Sequence, residues 1–354
     1  MCRRSLAILL AGCLLVGCQS PDEQSTHDRT IIALGTLIHV EIYDAREDRA
    51  EQALDALEAH FQTVQREWYA FGDGELGRAN EALSRGETVA LSPKLASLTR
   101  RSLRLRALSD GLFDPTIGML VELWGFGDTN NNRESPPDDA AILQWRREVD
   151  TGPRLTLEDR TLSVGRPIKL TFGGIAKGTA LTEAATMLTR MGINNAVIDA
   201  GGDLTVLGKR GDRLWRIGIR DPHSPGVLAT LDIAPGEAIV TSGNYERYFN
   251  YQGTRYHHLL DPRTALPVTH TAGVTVIDGD AELADAAATA LMVAGAQRFH
   301  EIAARMGIEF ALLVGANGDI IMTPALTRRI REPEQILDPL AGIMAGDGDQ
   351  ALSP

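Results

Sequence analysis

Residues Gly273 to Gly295 read GVTVIDGDAELADAAATALMVAG, a strand that runs into a helix. GVTVID is the strand. Glu282 to Val293 is rich in Ala and Leu, strong helix formers, and Gly279 and Gly295 punctuate the two ends of the predicted helix. Asp285 falls in its first turn and Thr289 four residues on, so a carboxylate and a hydroxyl face the same way. The helix dipole favours the carboxylate there. Two hard oxygens on one face suit Mg2+, which is usually held by one or two protein oxygens together with waters and a phosphate. The plainer reading is that Asp285 charges the helix start and Thr289 packs, and spacing alone leaves both open.

Downstream, Ile308 to Val314 and Asp319 to Thr323 read as a closing hairpin with Asn317-Gly318 at its turn. Upstream, RYHHLLDPRTALPV (Arg255–Val268) carries adjacent His257 and His258. On a strand they face opposite sides and cannot form one metal pair. One of them is either an acid-base group or a histidine held by a structural hydrogen bond. AVIDAGGDLTVLG, WRIGIRDP and LATLDI read as successive strands joined by glycine and proline turns, with Asp199 and Asp203 flanking Gly201 and Gly202.

In LTFGGIAKGTALTEAATMLTRMG (Leu170–Gly192) a strand ends in two glycines and a helix starts near Ile175. Glycines at such a corner free backbone N–H groups for an anion at the positive helix end, and Lys177 adds charge, which makes this a phosphate-site candidate. Steric relief is the alternative, and the pattern is neither a Walker loop nor a dinucleotide fingerprint. Further upstream, GLFDPTIGMLVELWGFG (Gly111–Gly127) sets glycine beside Phe113 and Trp124 and predicts close contact between backbone and something flat or bulky. Ser92 to Leu108 is a helix with Ser92 as N-cap and Pro93 at its first position. Asp128 to Pro137 is a polar surface loop. A helix from Ala45 to Glu67 leads to Trp68, Tyr69 and Phe71, which either close a core or offer a ring face to a planar ligand. Thr30 to Tyr43 alternates as a half-buried strand with Gly35 as a bulge or a close approach.

The chain has 354 residues, ample for a core at 44% hydrophobic content, and 47 acidic residues outnumber 35 basic ones. That balance argues against a nucleic-acid partner, which needs a basic face. Met1 to Cys18 is a targeting segment, with Arg3 and Arg4 before an apolar run too short to span a bilayer. It ends in Leu15-Val16-Gly17-Cys18, similar to a bacterial lipobox in which Cys18 becomes the lipidated, palmitate-bearing first residue. All three cysteines lie in this segment, so the folded part has no disulfide, thiolate nucleophile or thiolate metal site. We expect a signal peptide over 1–18, a tether over 19–30, the domain over 31–326 and a loose tail over 327–354. Strands joined directly, and helices interleaved without regular alternation, predict an α+β fold.

The ordered set FDPT with WGFG, GGIAKG, GGD, SGNYERYF with HHLLDPRT, and ADAAATA resembles the ApbE family, the FAD:protein FMN transferases, from about Leu34 to Thr323. The resemblance implies an ApbE-like fold of mixed and antiparallel sheets with packed helices, one large domain of two subdomains. It implies transfer of FMN from FAD, as substrate, onto a Thr or Ser hydroxyl of a target protein, with release of AMP and a requirement for Mg2+. The target would be a subunit of a membrane or periplasmic redox system, and the chain would be lipid-anchored facing the periplasm. Hydrolysis of FAD to FMN and AMP, or FAD binding without chemistry, are the alternatives. By motif, Asp285, Thr289 and Gly174 match metal-contacting positions. Leu34, Leu112, Phe113, Asp114, Lys177 and Leu260 match FAD-contacting ones. Thr171 stands where relatives carry an Asp that contacts FAD, and Thr179 to Thr182 stand where they carry Tyr-Ala-x-Asp. His258 and carboxylates, Asp261 among them, are candidates for the base that takes the hydroxyl proton.

Overall fold

The computed structural model describes residues 25–127, 135–149 and 155–330, so the lipobox with Cys18 and most of the tail lie outside the described residues. The chain opens with β1 (Thr26–Ala33), β2 (Thr36–Tyr43), α1 (Glu47–Trp68), α2 (Glu75–Leu83), β3 (Val89–Ala90), α3 (Pro93–Leu108), α4 (Gly118–Leu123) and α5 (Asp139–Val149). Next come β4 (Leu155–Glu158), β5 (Thr161–Val164), α6 (Ala176–Arg190), β6 (Ala196–Ala200), β7 (Asp203–Leu207), β8 (Trp215–Arg220), β9 (Val227–Ile233) and β10 (Ala238–Gly243). It closes with β11 (Tyr248–Tyr251), β12 (Thr254–His257), β13 (Leu260–Asp261), β14 (Leu266–Pro267), β15 (Thr271–Asp278), α7 (Ala281–Met306), β16 (Phe310–Gly315), β17 (Ile320–Met322) and α8 (Pro324–Arg329). This is the expected α+β layout.

Eight strands form one antiparallel sheet in the order β1-β2-β6-β7-β10-β15-β16-β17. Both faces are covered. In β6, Ile198 faces the core shared with α1, α6 and α7, while its neighbour Val197 faces a second core with Trp215, Leu231 and Ile233 of the β8–β9 hairpin and Leu326 of α8. Alternate residues of one strand thus serve two cores, which is why these strands read as nearly continuous apolar runs. A third cluster, of Leu120, Trp124, Phe126, Trp145, Leu260 and Ala265, lies apart from the sheet.

The order of elements follows the sequence reading, and four details differ. Thr26–Arg29, read as tether, is the start of β1. As an edge strand it shows polar residues to solvent on one side, so its composition imitates a linker. Gly35 is not a bulge: Leu34 and Gly35 both have positive φ (55° and 72°) and form the two-residue turn of the β1–β2 hairpin. Gly295 ends only the first part of α7: with φ of 62° and ψ of −175° it breaks the helix there as expected, and a second helical stretch runs on to Met306 before Gly307. α8 carries ordered structure past Thr327 to Arg329.

Candidate functional site

The first half of α7 is buried almost all round. From Ala281 to Gly295, Leu283 and Thr289 are the partial exceptions. Its alanines leave room for α6 to approach closely. A Cβ at Gly178 would strike the Ala281 carbonyl and lie 2.8 Å from Asp285 Cβ, so only glycine permits this crossing. There the Gly178 N–H donates to Asp285 Oδ2 at 2.9 Å. One turn along α7, Thr289 faces Gly174, where an added Cβ would lie 2.7 Å from its Oγ1. Hydroxyls elsewhere in the helices bond back to the carbonyl four residues earlier, as Thr99, Ser102 and Thr189 do. Among the described residues Thr289 makes no such bond, and its oxygen is left for another partner.

The charges around this crossing are unbalanced. Asp285 is 3% exposed. Burial, and then Asp203, push its carboxyl up to about 7, while Lys177 and the Gly178 N–H only partly oppose this. Lys177 Nζ lies 2.5 Å from Asp203 Oδ2. Burial pulls the Lys177 ammonium down, but Asp203, Glu246 and Asp285 outweigh it and hold the group above its usual range. Asp203 is itself buried and accepts from the Thr241 N–H at 3.0 Å. Desolvation raises Glu246 as well, although its side chain reaches solvent. An under-compensated buried carboxylate beside an unbonded hydroxyl and a backbone cradle is the donor set of a hard divalent cation. Among the described residues there is no cluster of three or more His, Cys, Asp or Glu that would hold a metal unaided. One carboxylate, one hydroxyl and a carbonyl would leave positions for phosphate oxygens and water.

Several loops border this crossing. The 115–118 turn is tied to 169–171 by Thr171 N–H to the Pro115 carbonyl (2.8 Å) and Gly118 N–H to the Lys169 carbonyl (2.9 Å), which sets Asp114 beside Thr171. Thr171 Oγ1 accepts weakly from the Gly173 N–H at 3.4 Å. The Leu34–Gly35 turn is anchored by Leu34 N–H to Gln65 Oε1 (2.6 Å), and Thr36 packs on Gly201 beside the Asp199–Asp203 turn. Leu112, Phe113 and Leu260 are buried, so any ligand they meet they meet through backbone. Asp114 is committed to Arg106 (2.7 Å) and to Thr116.

The two proposed bases fare differently. Asp261 accepts from the Arg263 N–H and guanidinium through both oxygens, at 2.8–3.0 Å, and folds the DPRT turn, so both oxygens are already engaged. His257 ends β12 with Nε2 on the Val268 carbonyl at 2.5 Å, whereas His258 lies beyond the strand with Nδ1 at 3.2 Å from the Arg247 carbonyl. Desolvation, then the Arg247 charge, pull His258 down to about 3, and it lies near enough to Lys177 to feel that charge as well. His258 is therefore neutral. Of the two readings open for the aromatics, packing within the protein is the one seen. Trp124 Nε1 donates to the Ala265 carbonyl (2.8 Å) while its ring stacks on Tyr256, and Gly127 packs against Phe71 and accepts from Tyr69.

Comparison with known proteins fits this geometry. The model of the ApbE family matches residues 34–312. The chain belongs to the ApbE family. The FAD:protein FMN transferase of Rhodobacter capsulatus is 39% identical over 332 residues, covering 92% of this chain and 62% of that protein, so the chain spans less than two thirds of that relative's length. The FAD:protein FMN transferase of Vibrio cholerae is 32% identical over 324 residues, 88% of this chain and 94% of that one. The crystal structure of the ApbE protein from Thermotoga maritima superposes with a TM-score of 0.79 at 29% identity, covering 87% of this chain and 100% of that chain. The apo flavinyl transferase ApbE of Pseudomonas stutzeri gives 0.74 at 28%, covering 86% and 97%.

Within this ApbE-family site the sequence reading brought together Asp285, Thr289, Gly174 and Lys177. It did not find Asp203 as the Lys177 partner, although GGD stood beside it, nor the bidentate pair of Arg101 with Glu282. Thr182, one of the positions read as a departure from the resembled motif, is exposed on α6 and falls outside the buried charge cluster.

Proposed function

We propose that this chain transfers FMN from FAD onto a Thr or Ser hydroxyl of an acceptor protein, releasing AMP, with Mg2+ required. The observation that carries the reading is the Asp285–Thr289 pair, set against Gly174 beside Lys177. The Asp285 carboxylate, the Thr289 hydroxyl and the Gly174 carbonyl would hold the metal. When bound, the metal would neutralise charge on the phosphate oxygens. Lys177, held by Asp203, sets a second positive charge over the diphosphate. With Nδ1–H directed at the Arg247 carbonyl, His258 keeps its Nε2 lone pair to accept the proton of the attacking hydroxyl. The hydroxyl oxygen then bonds to the FMN phosphorus as the bond to the AMP phosphate breaks. A lipid on Cys18 would tether the enzyme to a bacterial membrane facing the periplasm, within reach of a membrane or periplasmic redox subunit.

The test mixes the chain with FAD, Mg2+ and an acceptor bearing an Asp-Gly-x-Thr/Ser-Gly-Ala-Thr segment, following flavin fluorescence of the denatured acceptor and AMP together. Labelled acceptor with matching AMP, both lost in Asp285→Ala, is expected. AMP without label would instead make water the attacking group. Bound FAD with neither product would leave a binding protein.

A further inference from the structure

Three residues behind the metal pair make a second, fully satisfied network. Glu282 is one turn before Asp285, on the same side of α7, and is buried. Its carboxylate takes Arg101 Nε at 2.7 Å on one oxygen, and Arg101 Nη2 and Thr179 Oγ1, each at 2.8 Å, on the other. Arg101 Nη1 is fixed by Ser97 Oγ at 2.8 Å. Arg101 belongs to α3, Thr179 to α6 and Glu282 to α7. Thr179 directly follows Gly178, whose N–H holds Asp285. It also stands at one of the positions where the chain departs from the pattern it resembles.

We propose that Arg101, Glu282 and Thr179 form a positioning clamp that sets how tightly Asp285 and Thr289 hold the divalent cation, an inference that rests on the proposed function. At Gly178 the two helices touch backbone to backbone, with no side chain between them to absorb movement. A slip of α7 along α6 therefore moves Asp285 directly. Van der Waals contact among alanines has little directional preference, so the apolar part of the crossing does not define its register. The three-helix ion pair supplies that definition, because a bidentate guanidinium–carboxylate pair tolerates little displacement. Both Glu282 oxygens are taken up by Arg101 and Thr179, so the clamp acts through where it puts Asp285. Hydrogen-bonded supports of this kind are worth about 10–100-fold in metal affinity when removed.

The experiment is calorimetric titration of Mg2+ into the FAD-loaded full chain, for wild type, Glu282→Gln, Arg101→Lys and Arg101→Ala. Asp285→Asn serves as the null, and Arg329→Ala, which breaks a comparable pair with Glu237 at the far side of the sheet, as the control for fold loss. Expected is a Mg2+ Kd raised about tenfold in Arg101→Ala and Glu282→Gln, with partial recovery in Arg101→Lys. FAD affinity measured without Mg2+ should stay within about twofold, and Arg329→Ala should lower Tm while leaving the Mg2+ Kd unchanged. Unchanged Mg2+ affinity in the Arg101 and Glu282 variants, with Tm lowered as in Arg329→Ala, would make the network merely structural and overturn the proposal. Should Arg101→Ala fail to fold, Arg101→Lys and Glu282→Gln decide alone. Absence of Mg2+ binding in wild type would remove the functional reading and the clamp with it, a result distinct from the clamp failing by itself.

Discussion

Two glycine-rich corners of this chain invite the same reading and turn out to do opposite things. Around Gly174 and Gly178 the missing side chains bring two helix starts together and leave a carboxylate and a hydroxyl without full partners. Around Gly127 the missing side chain lets Phe71 lie against the backbone, and beside it Trp124 stacks on Tyr256 with the polar atoms satisfied, the Trp124 indole by the Ala265 carbonyl and the Phe126 carbonyl by Arg247 at 2.5 Å. The paired carboxylates make the same contrast. Asp261 has Arg263 on both oxygens, while Asp285 has one backbone N–H and a pKa of about 7. Glycine frequency does not separate a site from a scaffold; what separates them is whether the polar groups beside the glycine are already spoken for.

The sharpest way to break that contrast is to damage each corner in turn. Trp124 is 1% exposed, and Trp124→Ala should cost about 3–5 kcal/mol of stability in denaturant unfolding while leaving the KM for FAD, measured well below the melting point, near wild type. A large KM change at full folding would mean that the aromatic corner touches the nucleotide. The next largest effect is expected from Gly174→Ala. Its methyl would crowd Thr289 Oγ1, so FMN transfer should fall by about 10–100-fold, beyond a stability cost of about 1–3 kcal/mol for the overpacking. Gly127→Ala, whose methyl would lie 2.9 Å from the Phe71 ring, should cost a similar amount, about 1–3 kcal/mol in stability, with the transfer rate retained. Equal loss of activity in both would erase the distinction.

Asp285 gives a smaller effect with a fixed sign. Its carboxyl is raised from an ordinary 3.8 to about 7, chiefly by burial and then by Asp203, with Glu246 adding and Lys177 opposing. In that window the folded chain holds a proton that the unfolded chain has released. Stability without Mg2+ and FAD therefore falls as pH rises between about 4 and 7, then levels off. Thermal melts from about pH 5 to 7.5 should show this slope in wild type and not in Asp285→Asn. Identical slopes in the two proteins would show that Asp285 titrates as an ordinary carboxyl.

What could be read from the sequence was local. Asp285 and Thr289 are four residues apart on one helix, the Ser92 cap accepts from the Leu95 N–H as expected, and the Asn317-Gly318 turn is where the closing hairpin reverses. What could not be read depends on distance along the chain: Arg101 meets Glu282 across 181 positions and Thr179 meets it across 103. Periodicity carries no information about such pairs. The Arg263 clasp on Asp261 was local but hidden by its type, since a carboxylate in a turn looks the same whether it caps or reacts. Gly295 does signal a helix end, but a second helical stretch follows it directly where the glycine packs against His270, and glycine alone carries no sign of that continuation.

The finest comparison is between two turns of identical shape. Leu34-Gly35 and Gln252-Gly253 each join paired strands with two residues at positive φ, 55° and 72° in one, 49° and 77° in the other. That geometry favours Asn or Asp at the first position, and a Leu or Gln there carries strain. Gln252 is exposed at the tip of the β11–β12 hairpin, so Gln252→Asn should raise stability by about 0.5 kcal/mol and change nothing else. Leu34→Asn relieves the same backbone strain, yet Leu34 is half-buried, two residues from Thr36, which packs on Gly201, and it matches a position where the nucleotide is proposed to lie. It should therefore gain in denaturant midpoint and lose severalfold in FAD affinity, a pair of changes in opposite directions that a simple turn residue would not show. If Leu34→Asn binds FAD as wild type does, the strain at residue 34 has no functional use and the two turns are equivalent.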